Sequence, residues 1–246
     1  MSQQPASLEA TLDTGPLDAA AVAAPRAPHR VKPSAVAALP RVLVWDLPLR
    51  VFHWALVVLV SAAIATGLAG GPWMAWHGRA GQAIAGLLVF RLTWGLWGTR
   101  YARFRQFLPT PSRVWAYLQG RWQGHGHNPL GALSVLAVLV LLLLQVGTGL
   151  FGNDEISFTG PWSGWVDEDT SLRLTGWHKF AAKALYAWLG LHVLAIAVYG
   201  LWLRRPLLQA MVTGRAPGAV PAAAGRVSIV LLLVSVGLGV ALQLLF

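Results

Sequence analysis

The chain has no cysteine. That excludes disulfides, thiolate zinc sites, iron–sulfur clusters and covalent haem attachment through a C-x-x-C-H motif. Charge is scarce as well: Asp, Glu, Lys and Arg make up 11% of the 246 residues, against roughly 25% in an ordinary soluble domain. Acidic residues are the scarcer sign, nine against nineteen Lys and Arg. A secretory signal is missing too, since the chain opens with Glu9, Asp13 and Asp18 among Ala and Pro rather than with a basic stretch and an apolar run. Residues 1–40 therefore read as a disordered cytoplasmic tail. What remains is apolar, at 56% of residues, and carries thirteen Trp. Such a composition rules out a disordered protein and argues against a water-soluble globule, and Trp is enriched where membrane meets water.

A membrane-spanning helix needs about 20 mostly apolar residues. Five stretches meet that length: Val51–Gly70, about Trp76 to Gly98, Gly131–Phe151, Trp177–Leu203 and Val227–Phe246. The third and fifth carry no charge, and the second holds Arg79 and Arg91 near enough to its ends for both to snorkel toward water. The expected fold is an all-α membrane protein, four helices in a transmembrane bundle plus a fifth C-terminal helix. Its expected divisions are the tail at 1–40, the four-helix domain at 41–215, a linker at 216–225 with Pro217 and Pro221, and the fifth helix at 226–246.

Basic residues concentrate in alternate connections. Arg26, Arg30, Lys32, Arg41 and Arg50 precede the first helix, Arg100, Arg103, Arg105, Arg113 and Arg121 lie between the second and third, and Arg204, Arg205, Arg215 and Arg226 follow the fourth. The loop Gly152–Gly176 has only Arg173 among Asp154, Glu155, Asp167, Glu168 and Asp169. This asymmetry places the N-terminus in the cytoplasm and the C-terminus on the far side. The positive excess is a topology signal, not a nucleic-acid surface.

Seven His occur, and ionisable residues inside membrane helices mark functional sites by default. His178 and His192 are fourteen residues apart on the fourth helix. At 3.6 residues per turn and 1.5 Å rise they share nearly one face, about 21 Å apart along the axis. His53 starts the first helix at the depth of His192, and His77 starts the second at the depth of His178. Two pairs at matched depth result, and an iron porphyrin held between helices needs such a pair. Interhelical hydrogen bonding is the plainer reading of the same residues. Small residues beside them (Gly78, Gly81, Ala181 and Ala182) suit a macrocycle's edge or close helix packing alike. Met74 is an alternative axial ligand, His125 and His127 read as solvated loop residues, and His29 falls in the tail. Gln145 and Thr148 read as hydrogen-bonding between helices, with a quinone contact as the other option. Trp73, Trp76, Trp162, Trp165 and Trp177 form an interfacial belt.

Trp45-Asp46-Leu47-Pro48-Leu49-Arg50-Val51-Phe52-His53-Trp54 resembles the opening of the bacterial cytochrome b561 and Ni/Fe-hydrogenase b-type cytochrome family. Arg100-Tyr101-Ala102-Arg103-Phe104, His127-Asn128-Pro129-Leu130-Gly131, Thr148-Gly149-Leu150-Phe151 and the pair His178 and His192 extend the likeness over about Val42 to Arg215. The fifth helix and the tail lie outside it. The resemblance implies two noncovalent b-type haems with bis-His ligation at His53, His77, His178 and His192. It implies single-electron transfer between quinone and a redox partner in a respiratory chain of the bacterial inner membrane. The partner is a catalytic oxidoreductase subunit, or a c-type cytochrome docked on the acidic loop; a stand-alone oxidoreductase acting on a small substrate such as superoxide is the other version. Haem propionates would meet Arg79, Lys179 and Lys183 at the outer level, with Lys183 the expected partner, and Arg50 and Arg204 at the inner. A reading of another class, a haem-free scaffold or metal-ion transporter using the same His, predicts a colourless protein.

Overall fold

The computed structural model describes residues 41–122, 127–156, 158–205, 207–217 and 229–243. The expected tail, most of the expected linker, His29 and His125 lie outside them. In chain order the elements are β1 (Arg41–Leu43), α1 (Leu47–Ala69), α2 (Met74–Trp97), α3 (Phe104–Phe107), α4 (Pro111–Leu118), α5 (Pro129–Leu150), α6 (Glu168–Leu201), α7 (Leu207–Thr213), β2 (Arg215–Pro217) and α8 (Ile229–Gln243).

Helix starts follow from caps. Asp46 accepts the Leu49 N–H, with Pro48 inside the first turn, so α1 begins four residues before the apolar run. Asn128 accepts the Gly131 N–H at 2.7 Å and Pro129 opens α5. Asp167 caps Thr170, and Glu168 and Asp169 occupy the first turn of α6. Those acids complement the helix dipole. They carry α6 nine residues beyond the expected start, to 34 residues.

Among the described residues, α1, α5 and α6 are long and apolar enough to cross a membrane. They account for three of the five expected spans; α2 has 24 residues, but Arg79, Gln82 and Arg91 dilute its apolar run. The described part of α8 is 15 residues. α1 packs on α2, α5 on α6, and α8 on α2. Leu49, Phe52 and Val60 of α1, Ile84, Leu88 and Trp94 of α2, Leu139 and Leu142 of α5 and Leu185 of α6 share one core. Ser235 and Gly239, one turn apart on α8, are buried, and a Cβ at Gly239 would stand 2.7 Å from the Gly86 carbonyl oxygen. The two backbones cross closely there, as small-residue faces of membrane helices do.

Among the described residues a two-stranded ribbon departs from the helical expectation. β1 and β2 pair antiparallel, Val42 opposite Ala216, and the Val44 and Trp45 N–H groups both donate to the Gly214 carbonyl. Gly214 has φ +78°, and a Cβ there would stand 2.6 Å from the Trp45 carbonyl oxygen, so only glycine suits the turn. The ribbon ties the start of α1 to the chain after α7.

Candidate haem-binding site

At the acidic end of the helices His77, in the first turn of α2, faces His178 of α6, ring centroids 5.9 Å apart and planes at 80°. Each ring is oriented by a different neighbour. His77 Nδ1 lies 2.8 Å from the Ala63 carbonyl of α1, and His178 Nδ1 lies 3.0 Å from the Gln145 carbonyl of α5. A carbonyl only accepts, so both Nδ1 atoms carry the proton and both Nε2 atoms keep a lone pair, the tautomer a metal needs. Thr148 Oγ1 stands 3.3 Å from His178 Nδ1 and Gln145 Nε2 stands 3.4 Å from His178 Nε2. Both residues thus link α5 to α6, as expected.

Glycines make the approach feasible. A Cβ at Gly67 would stand 2.8 Å from His77 Nδ1, and one at Gly149 would stand 3.1 Å from His178 Cε1. At Gly78 it is Phe158, from the loop after α5, that a Cβ would meet, at 2.7 Å, and the glycine also lies on the cavity wall. Phe158 also meets His77 edge-on at 6.3 Å. A cavity of about 630 Å³ adjoins both imidazoles and is bordered by Gly81, Ala182 and Leu142, with Arg79, Lys179 and Lys183 also on its wall. Met74 lines it too.

These residues fit a haem. The donor set suits it: two neutral imidazoles with free Nε2 lone pairs stand in ring contact beside a cavity with cations on its wall, where His77 and His178 would hold the iron. The cavity falls within the ~300–1,000 Å³ of small-molecule and cofactor sites, and a Cβ at Gly81 would meet nothing within 4 Å. Among the described residues no three His, Asp or Glu side chains converge, so each imidazole pair stands without a carboxylate ligand.

At the basic end His53 of α1 and His192 of α6 lie close enough to interact electrostatically. His192 Nδ1 is 3.4 Å from Ser134 Oγ, while His53 Nδ1 is buried without a partner and its ring stands edge-on to Trp54. The structure thus sets His77 against His178 in ring contact and leaves His53 and His192 within electrostatic range of each other.

A polar hub beside this end was not anticipated. Asp46 is buried; it accepts from Leu49 N at 2.7 Å, Trp94 Nε1 at 3.1 Å and Thr99 Oγ1. Arg91 lies within electrostatic reach of that carboxylate. It does not snorkel: it is 2% exposed, donates to the Ala102 carbonyl at 3.2 Å and stacks over Phe104 at 4.5 Å. His127 likewise departs from the solvated loop residue expected. Its ring is clamped between Trp45 and Phe107, centroids 4.4 Å from each, and burial, followed by the nearby Arg91 charge, pushes its pKa down to about 3.

Other expected residues sort plainly. Arg79 stacks on Trp76 at 4.9 Å while bordering the cavity. Arg50 donates to the Val212 carbonyl of α7, and Arg204 is exposed with φ +49°. Trp73, Trp76, Trp165 and Trp177 are exposed around the acidic end, and Trp162 stacks on Trp165.

The family model described as prokaryotic cytochrome b561 matches residues 44–214. The chain is 24% identical over 238 residues to a "Probable Ni/Fe-hydrogenase B-type cytochrome subunit" of Bradyrhizobium diazoefficiens, covering 82% of this chain and 94% of that one. It is 25% identical over 209 residues to a protein of the same name from Azotobacter chroococcum, covering 70% and 87%. No solved structure matches. A model match running from the strand-to-helix turn before α1 to the glycine before β2 takes in all four paired histidines, and the chain belongs to the prokaryotic cytochrome b561 family, as a membrane b-type cytochrome whose prosthetic group is b-type haem.

Proposed function

We propose that this b-type cytochrome binds two haems and transfers single electrons between quinone in the bilayer and a redox partner. The observation that carries the proposal is the His77–His178 couple, 5.9 Å apart, each Nδ1 held by a backbone carbonyl of a third or fourth helix. His53 and His192 form the second couple. A bound b-type haem would supply a one-electron iron centre, with His77 and His178 holding one and His53 and His192 the other. The protein's part is to fix the rings, exclude water and supply charge. Ala63 and Gln145 carbonyls orient the acidic-end rings, and Phe158 covers His77. Arg79, Lys179 and Lys183 place cations on the cavity wall for anionic propionates. The fourteen-residue spacing on α6 sets the couples about 21 Å apart, across most of the roughly 30 Å hydrocarbon core.

The relatives' names as hydrogenase cytochrome subunits lead us to propose a catalytic oxidoreductase subunit as partner. The N-terminus would face the cytoplasm, in keeping with the basic loops. Reduced-minus-oxidised spectra of the purified protein test the reading. Two b-type centres are expected; His77→Ala and His178→Ala should remove one of them, His53→Ala and His192→Ala the other. A colourless protein, or single variants that keep both centres, would overturn it.

A further inference from the structure

The cytochrome carries a second concave site, about 230 Å³, at its basic end, away from the His77–His178 cavity. Arg100, Tyr101, Gln106, Arg113, Trp122 and His127 line it. The chemistry of that wall is one-sided. Two guanidinium groups, a phenol, an amide and an indole N–H offer many donors and two positive charges, and no carboxylate is among the described lining residues. One Arg113 Nη1 donor is spent on the Leu108 carbonyl at 3.1 Å, which steadies the guanidinium while leaving most of its N–H groups free.

His127 adds an independent sign of a missing partner. Its ring is fixed between Trp45 and Phe107, yet its Nδ1 is buried with no hydrogen-bond partner. A buried polar atom left unpaired costs about 1–3 kcal/mol, so a cavity on that same wall with room for an acceptor is informative. Donors and positive charge on that wall, beside an imidazole whose nitrogen is unpartnered, call for a ligand bearing anionic oxygens. Arginine forks match phosphate in particular.

The rim identifies the source. Leu108, Trp115, Leu118 and Leu130 are 50%, 61%, 62% and 41% exposed, in the segments that frame the cavity. Helix α4 sets Trp115 and Leu118 against Arg113, the apolar-and-basic pattern of a helix lying in a membrane interface. Apolar rim around a cationic cup fits acyl chains around a headgroup. We propose that this cavity binds the phosphate of an anionic phospholipid. The assignment does not depend on haem ligation.

Native mass spectrometry of the full-length, delipidated protein tests it, with phosphatidylglycerol, phosphatidylcholine of matched chains and inorganic phosphate as probes. The wild type should retain phosphatidylglycerol in preference to phosphatidylcholine. Arg100→Gln and Arg113→Gln should each weaken retention, the double variant by about tenfold or more, as loss of charge-assisted bonds requires. Both arginines are exposed, so their replacement leaves the core intact, and unchanged helical circular dichroism would verify this. His127→Phe, which keeps a ring between Trp45 and Phe107, should also lower retention. Equal retention of the two lipids, or an unaltered double variant, overturns the proposal. Displacement of the lipid by inorganic phosphate at equal concentration also overturns it, in favour of a soluble phosphate ligand.

Discussion

Gly149 of α5 lies against the imidazole of His178: a Cβ on its Cα would stand 3.1 Å from Cε1 and 3.2 Å from Nδ1. Gly67 of α1 does the same for His77, closer still at 2.8 Å. The two rings therefore meet because two helices give up side chains opposite them. Gly67→Val and Gly149→Val should each displace one imidazole and lower haem content at the acidic-end centre, leaving the basic-end centre in place. Gly147→Ala, at an exposed position of α5 off the cavity wall where an added methyl group meets nothing within 4 Å, is the matched control and should retain both. Haem-to-protein ratio with difference spectra checks this; full haem content in both valine variants would refute it.

Phe158 closes the same site from the loop side. It meets His77 edge-on at 6.3 Å and fills the niche over Gly78. Its loop is pinned by Asp154, whose Oδ1 accepts the Phe158 N–H at 2.8 Å, and by the Asn153–Thr159 bridge. Phe158→Ala should keep haem bound but admit water beside His77. Water stabilises the more positive oxidised centre, so its midpoint potential should fall while the other stays put. Redox titration reads both, and an unshifted pair would mean that Phe158 does not shield the site.

How much of this was legible in the sequence depends on the kind of contact. The histidine pairs were, because helix rise fixes depth and fourteen residues bring His178 and His192 back to one face. The span of α6 was only half legible: hydropathy marks where the helix is apolar, whereas Asp167, Glu168 and Asp169 show where it starts. Gly67 and Gly149 carried no signal, since a glycine's neighbour on another helix is set by tertiary packing. Arg91 and His127 were misread for the same reason. A charge near a helix end and an imidazole in a polar loop look solvated until Phe104, Trp45 and Phe107 are folded over them. Asp46 did have a signature, an acid two residues before Pro48 at a helix start, though nothing local points to Trp94 or Thr99.

Burial of His127 makes the fold acid-sensitive. Its pKa is pushed from an ordinary 6.5 to about 3, so between those values the unfolded chain binds a proton that the folded chain does not. Stability from this residue is complete above about pH 6.5 and falls as pH drops, by about 1.4 kcal/mol per unit, reaching about 2 kcal/mol lost at pH 5. Melting temperature should decline from pH 7 to pH 5, and His127→Phe should flatten that decline. An equal pH slope in wild type and variant would place the acid sensitivity elsewhere.

Asp46 couples three parts of the chain through one carboxylate. It caps α1 through Leu49, takes the indole N–H of Trp94 near the end of α2, and takes the Thr99 hydroxyl beyond it. Trp94 is 1% exposed, so removing its acceptor strands a buried donor at about 1–3 kcal/mol, and losing the cap adds about 1 kcal/mol. Asp46→Ala should therefore destabilise the protein by about 3 kcal/mol. Asp46→Asn, whose amide oxygen can still accept, should cost less, although the electrostatic support of Arg91 is lost with the charge. Thermal melts in detergent, followed by far-ultraviolet circular dichroism, rank the two. If alanine and asparagine prove equally mild, the carboxylate does not hold α1 to α2.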